Sequence, residues 1–225
     1  MLRAVIFDID GTLVDSNDLH ARAWREAFAH FGIELPFDQV RSQIGKGGDQ
    51  LVPSLIGAEK AHQIGDDLSE YRSQLFKEKY LDQIRAFPKV RQLFQRILRD
   101  GRRIALASSA KEDELRKLKD IANISDLIDK ETSSDDAEKS KPHPDIVEAA
   151  LARLRVNADE AIMVGDTPYD STAATRLHVR TIGVLCGGFP EAELVKAGCI
   201  EIYRDPADLL AQYEKSALAE TPMAA

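Results

Sequence analysis

Cysteine is scarce in this chain. Only Cys186 and Cys199 occur among 225 residues, with no Cys-x-x-Cys pair and no histidine spacing of the kind that holds zinc, so reduced thiols are expected. Also missing is any apolar run of membrane-spanning length. The first apolar run begins at Ala4, which leaves no space for a signal peptide and makes a cytoplasmic location the expectation. Basic residues are not in excess. Thirty Lys and Arg face 38 Asp and Glu, and a formal net charge of -8 argues against a nucleic-acid backbone or an anionic membrane as the main partner. A small anionic substrate is compatible with that charge where a metal or a local cation offsets the field. Internal repeats are absent, and the polar run Ser133 to Ser140 is short enough to be a solvated loop.

What is present suits a globular protein. An apolar fraction of 44% and a charged fraction of 30% are ordinary for a soluble chain. The length allows one or two domains with a substantial core. The chain is organised around Ala4 to Ser16. Ala4, Val5, Ile6 and Phe7 form an apolar, β-branched run that fits a strand buried on both faces of a parallel sheet. Asp8 ends it, Asp10 follows, and Gly11 allows a sharp turn, so two carboxylates are placed at the mouth of the sheet. Asp15-Ser16 then offers helix N-cap chemistry.

Between Ser16 and about Arg85 the pattern is helical. Trp24, Ala27, Phe28 and Phe31 make one apolar stripe that Gly32 stops, and further helices are expected over Phe37 to Ile44, Gln50 to Ile56 and Glu59 to Ile84. No strand is expected there. So long a helical block is more than a crossover, so residues 16–85 are expected to form an inserted domain, with hinges near Asp15-Ser16 and Ala86-Phe87-Pro88.

After Pro88 helices and strands alternate. An amphipathic helix carries Val90, Leu93, Phe94, Ile97 and Leu98, with Gly101 as its C′ residue. Ile104 to Ala107 reads as a buried strand, Glu112 to Ala122 as a helix, and Leu127-Ile128 as a weaker strand. Helix Pro142 to Leu154, strand Ala161 to Val164, a helix through Ala173, Ala174 and Leu177, and strands Arg180 to Leu185 and Ile200 to Tyr203 complete the series. Such alternation implies right-handed crossovers and a mainly parallel, Rossmann-like α/β sheet formed by residues 1–15 and 86–215. Residues 216–225 lack periodicity, and disorder is expected for them.

Ligands of open α/β sheets bind beyond the carboxyl ends of the strands. Asp8, Ser108, Lys141 and Asp166 all fall at or just after such ends. Each alone reads as a turn residue or a solvated charge; together they can furnish one site.

Asp8-x-Asp10-Gly11-Thr12-Leu13-x-Asp15-Ser16 resembles the first motif of the haloacid dehalogenase (HAD) superfamily. Ser108 after Ile-Ala-Leu-Ala resembles its second motif, Lys141 in Lys-Pro-His-Pro-Asp its third, and Gly165-Asp166-x-x-x-Asp170 its fourth. The resemblance spans the whole core. It implies a Mg2+ site at Asp8, Asp166, Asp170 and the backbone carbonyl of Asp10. It also implies nucleophilic attack by Asp8, acid/base work by Asp10, and phosphoryl binding by Ser108 and Lys141. Clustered aspartates give that cation a physical reason, because two carboxylates 4 Å apart repel by on the order of 4 kcal/mol at an effective dielectric of 20 and a divalent cation relieves the repulsion. All-oxygen ligands suit Mg2+ better than zinc. Dehalogenases of the superfamily lack the acid that Asp10 supplies, so phosphoryl transfer is the implied reaction.

By the same resemblance residues 16–85 are a C1-type cap, whose closure favours small phosphorylated metabolites such as phosphoglycolate or a sugar phosphate. Thr12, His20, Lys46 and Ser109 are its candidate substrate contacts. The segment Asp15-Ser16-x-x-x-His20-x-x-Ala23-Trp24 is also similar to β-phosphoglucomutases, although their cap-loop arginine has no match in Ile44 to Gln50. Trp24 is expected to serve core packing, and Lys46 to reach a substrate anion as in phosphoglycolate-phosphatase-like proteins. A phosphomutase and a non-catalytic binding protein on the same scaffold are the alternatives. Monomer and homodimer are not distinguished.

Overall fold

The computed structural model describes residues 1–133 and 136–219. Strand β1 (Ala4–Phe7) is followed by the two-residue β2 (Val14–Asp15) and by four helices: α1 (Asn17–His30), α2 (Phe37–Arg41), α3 (Gly48–Ile56) and α4 (Ala58–Lys79). Strand β3 (Arg85–Ala86) returns the chain to the sheet layer. Then come α5 (Val90–Arg99), β4 (Arg103–Ala107), α6 (Glu112–Ala122), β5 (Lys130–Thr132), α7 (Asp145–Leu154) and β6 (Ala161–Gly165). The chain continues through α8 (Pro168–Thr175), β7 (Arg180–Val184), α9 (Glu191–Ala197), β8 (Cys199–Tyr203) and α10 (Pro206–Ala211).

Six strands form one sheet in the order β5-β4-β1-β6-β7-β8, every neighbouring pair parallel. The α/β, Rossmann-like expectation therefore holds. β1 lies at the centre because its four residues are apolar on both faces, and all four are buried. The two-residue period divides them: Val5 and Phe7 pack with α5 and α6, while Ala4 and Ile6 pack with α7 and α8. A third apolar cluster lies among α1 to α4, built on Trp24, Phe28, Val40, Leu51 and Leu68.

Differences from the sequence reading fall at edges and ends. The expected strand at Leu127-Ile128 lies three residues later, as β5; Leu127 and Ile128 instead pack as partly buried side chains against the core. An edge strand needs only one covered face, and Lys130 and Glu131 are not apolar, so its signal is weak. Helix α7 starts at Asp145 rather than Pro142, since Pro144 disfavours helical backbone at His143. Residues 217–219 of the expected disordered tail form a turn of 3-10 helix with Leu218 fully buried, and residues 220–225 lie outside the described residues. Residues 134 and 135 of the expected polar loop lie outside them as well. In the expected hinge region β2 and β3 pair antiparallel, Val14 with Ala86 and Asp15 with Arg85, a strand pair the helical pattern did not announce. Among the described residues no helix is long and apolar enough to cross a membrane.

Candidate active site

The three central strands end level with one another. Phe7 is in register with Leu106 of β4 and with Val164 of β6, so Asp8, Ser108 and Asp166 leave the sheet side by side. Lys141 arrives from the loop before α7. Asp170 lies in the first turn of α8, where its carboxylate accepts hydrogen bonds from the Thr167 amide (3.1 Å) and hydroxyl (2.8 Å). Folding thus brings Asp8, Asp166 and Asp170 together: all three are buried, and each offers an oxygen within 4.8 Å of the others. The Lys141 ammonium, also fully enclosed, lies 2.7 Å from Asp8 Oδ1 and 2.7 Å from Asp170 Oδ1.

Three buried carboxylates face one ammonium. Burial pushes the pKa of Asp8 well above the usual carboxylate value, against the pull of Lys141 and with the repulsion of Asp170 and Asp166. Asp166 is pushed up to about 7, by burial and then by Asp170, although Thr12 and Asn17 donate to it. Burial opposes charge on Lys141 too, yet Asp170 and Asp8 hold its pKa above the ordinary lysine value. An enclosed, all-oxygen donor set that is short of positive charge fits a hard divalent cation. The surrounding backbone leaves no slack: a Cβ on Gly187 would lie 1.7 Å from Asp166 Oδ2, and one on Gly11, whose φ is +71°, 2.3 Å from the same oxygen.

Asp10 turns its side chain away from this cluster and toward α1. Its Oδ1 accepts from the Ser16 hydroxyl at 2.5 Å and pairs with His20 Nε2 at 2.8 Å. Burial works against its ionisation, but the His20 interaction and the Ser16 hydrogen bond outweigh it and keep its pKa below the ordinary value. Ser16 stands at the N-cap of α1 without a side-chain capping bond, since its hydroxyl serves Asp10. The His20 ring stacks on Phe76 with centroids 4.1 Å apart, and its Nδ1 contacts an Arg72 guanidinium nitrogen. Arginine only donates, so Nδ1 is the acceptor and Nε2–H donates to Asp10. Arg72 also lies 3.9 Å from buried Glu114, which joins α4 to α6.

Between the sheet edge and the helices lies a cavity of about 80 Å3, lined among others by Asp8, Asp10, His20, Lys46, Arg72 and Ser109. A family profile described as haloacid dehalogenase-like hydrolase matches residues 5–184. This chain belongs to that family. It is similar to the phosphoglycolate phosphatase of Yersinia pestis, at 30% identity over 190 residues, covering 83% of this chain and 82% of that one. It is similar as well to the pyrophosphatase PpaX of Oceanobacillus iheyensis, at 24% identity, covering 81% and 83%. Among solved structures, a hydrolase from Pseudomonas syringae matches with a TM-score of 0.88 at 29% identity, covering 96% of this chain and 99% of that one.

In this HAD hydrolase the remaining expected contacts part company. Lys46 lines the cavity with neutral neighbours, its Nζ 2.5 Å from Gln43 Oε1 and 4.9 Å from the Tyr169 ring centroid, and burial lowers its pKa. The Ser109 hydroxyl is buried there without a hydrogen-bond partner. Ser108 is fully buried and its Oγ accepts from the Ala110 amide at 3.1 Å. Thr12, read as a substrate contact, is fully buried and donates its hydroxyl to Asp166 Oδ1 at 2.8 Å, which makes its side chain a support for the carboxylate cluster. Trp24 both packs in the helical cluster and lines the cavity.

Four participants escaped sequence reasoning. Asn17 donates to Asp166 Oδ2 (2.7 Å) and to the Gly187 carbonyl (3.0 Å), while Gly187, Arg72 and Glu114 complete the surroundings. Only Asn17 carried a signal, its place beside Asp15-Ser16. Arg72 and Glu114 read as ordinary charges on helices, and nothing local announces that two helices will press them together.

Proposed function

We propose that this HAD hydrolase is a Mg2+-dependent phosphatase of small phosphorylated metabolites, of the phosphoglycolate or sugar phosphate type, working in the cytoplasm through an aspartyl-phosphate. The observation that carries the reading is the buried Asp8-Asp166-Asp170 cluster, held by Lys141, with a separately tethered Asp10 beside it. Asp8, Asp166 and Asp170, with the Asp10 backbone carbonyl, would hold the cation. When bound, Mg2+ supplies positive charge that neutralises phosphate oxygens and lets a carboxylate approach an anion.

The chain's own groups do the rest. Asp8 attacks phosphorus; its new O–P bond forms as the bond to the leaving oxygen breaks, and the Asp10 carboxyl protonates that oxygen. The arriving phosphate anion raises the proton affinity of Asp10 for this half. A water then attacks the phosphoryl group, Asp10 takes its proton, and the O–P bond to Asp8 breaks. Lys141 holds Asp8 in position and, with Ser108, offsets charge on the transferring oxygens. His20 and Ser16 aim Asp10, and Lys46 meets the substrate anion. Residues 16–85 act as a cap, with residues 1–15 and 86–215 as the core, so that bulk water is kept out during transfer to Asp8 while one water reaches the intermediate afterwards.

Phosphate release from acetyl phosphate tests the reading. Chelation is expected to lower it at least about 100-fold, with Mg2+ restoring it. Indifference to the chelator would overturn the metal assignment, and when a hexose 1-phosphate is supplied with its bisphosphate activator, isomerised sugar phosphate in place of free phosphate would identify a mutase.

A further inference from the structure

A second and much larger cavity, of about 640 Å3, lies behind the first, between α3 and α4 on one side and the start of α6 on the other. The two share Trp24, Gly47, Gly48, Arg72, Ser109, Ala110 and Glu114, so they meet across a neck in which two glycines, an alanine and a serine stand beside three larger side chains. Resting on the phosphatase reading, we propose that this outer cavity receives the leaving alcohol, and that this alcohol is hydroxylated, of hexose size or larger, and free of anionic groups.

Volume gives the size. The inner cavity, about 80 Å3 and lined by Asp8 and Asp10, has an eighth of the volume of the outer one and is the place of the phosphoryl group. The outer space falls within the roughly 300–1,000 Å3 of sites that enclose whole metabolites. A two-carbon acid or a second phosphate would leave most of it to water.

Charge gives the class. Asp49, Asp66, Glu114 and Glu138 line the outer cavity against the two cations Arg72 and Lys111, and Arg72 is already matched by Glu114 and engaged with His20. Lys46, whose neighbours are neutral, lines the inner cavity only. An anionic tail in the outer space would meet four carboxylates against exposed Lys111 and the already matched Arg72. Hydroxyl groups suit it, because carboxylates accept from them and Ser69 and Ser73 can do either. Val52 and Pro53 supply an apolar stretch for the carbon face of a ring.

The test compares kcat/KM, with Mg2+, for acetyl phosphate, 2-phosphoglycolate, pyrophosphate, glucose 6-phosphate and glucosamine 6-phosphate. At least about a tenfold preference for the two hexose esters over 2-phosphoglycolate and pyrophosphate is expected. Ala61→Trp, which narrows the outer cavity, should lower the ratio of glucose 6-phosphate to acetyl phosphate turnover by about tenfold or more. The exposed double variant Asp66→Lys with Glu138→Lys should move selectivity toward 2-phosphoglycolate by at least about threefold, and its surface positions keep the fold out of the result. Preference for 2-phosphoglycolate or pyrophosphate, or unchanged ratios in both variants, overturns the inference while acetyl phosphate turnover leaves the phosphatase reading standing. No turnover of any of the five compounds overturns both.

Discussion

The sheet edge and the helical wall that faces it are built on different rules. At the sheet edge Asp8, Lys141, Asp166 and Asp170 are buried, and each is tied to a neighbour of fixed position by contacts of 2.7 to 3.1 Å. Across the cavity, Lys46 rests on an amide oxygen and an aromatic ring, and the outer wall carries exposed charges such as Asp66 and Lys111. The difference separates two tasks. Phosphoryl chemistry requires charges held in place before the substrate arrives, because a misplaced acid or nucleophile loses rate steeply. Leaving-group recognition tolerates side chains that adjust, and exposed positions can change without disturbing the chemistry.

Removing the nucleophile would sharpen that contrast most. Asp8→Asn should reduce phosphate release by at least about 1,000-fold with an unchanged far-UV circular dichroism spectrum. Substantial residual turnover would break the assignment of chemistry to the sheet edge. A pH experiment comes next. The folded chain holds a proton on Asp166 up to about pH 7, whereas an unfolded carboxylate loses it near its ordinary value of 3.8. Over that window the folded state binds more protons, so stability of the metal-free protein should fall as pH rises from 4 to 7. Asp10, with its lowered pKa, contributes in the opposite sense, its share being lost as pH falls below the ordinary carboxylate range. Melting temperatures with chelator should therefore decline toward neutrality, and Mg2+ should recover most at pH 7; a metal-free profile that rises over the same range would contradict a charge-deficient cluster. The smallest effect belongs to the wall. Lys46→Ala should raise KM for the preferred ester by about tenfold while changing kcat less, and an equal fall in kcat would move Lys46 into the chemical machinery.

Legibility followed the same division. The strands that carry Asp8, Ser108 and Asp166 were readable because burial on both faces forces continuous apolar runs, and the polar residue ending such a run marks the sheet edge. β5 was misplaced by three residues because an edge strand is not obliged to be apolar. Ser16 was read as a cap and serves Asp10 instead, since the sequence shows which groups a serine can bond and not which of them folding brings near. The bond from the Thr12 hydroxyl to Asp166 went unannounced for the same reason.

The succession of strands and helices along the chain, the positions of the carboxylates at strand ends and the helical character of residues 16–85 follow from local pattern, because periodic burial leaves its mark on consecutive residues. The meeting of Lys141 with Asp8 and Asp170, the union of Arg72 with Glu114 and His20, and the size and charge of the two cavities were decided only when distant segments packed together. Proximity across 29 to 133 residues arises from the sum of many weak contacts, and no single stretch of chain carries its record.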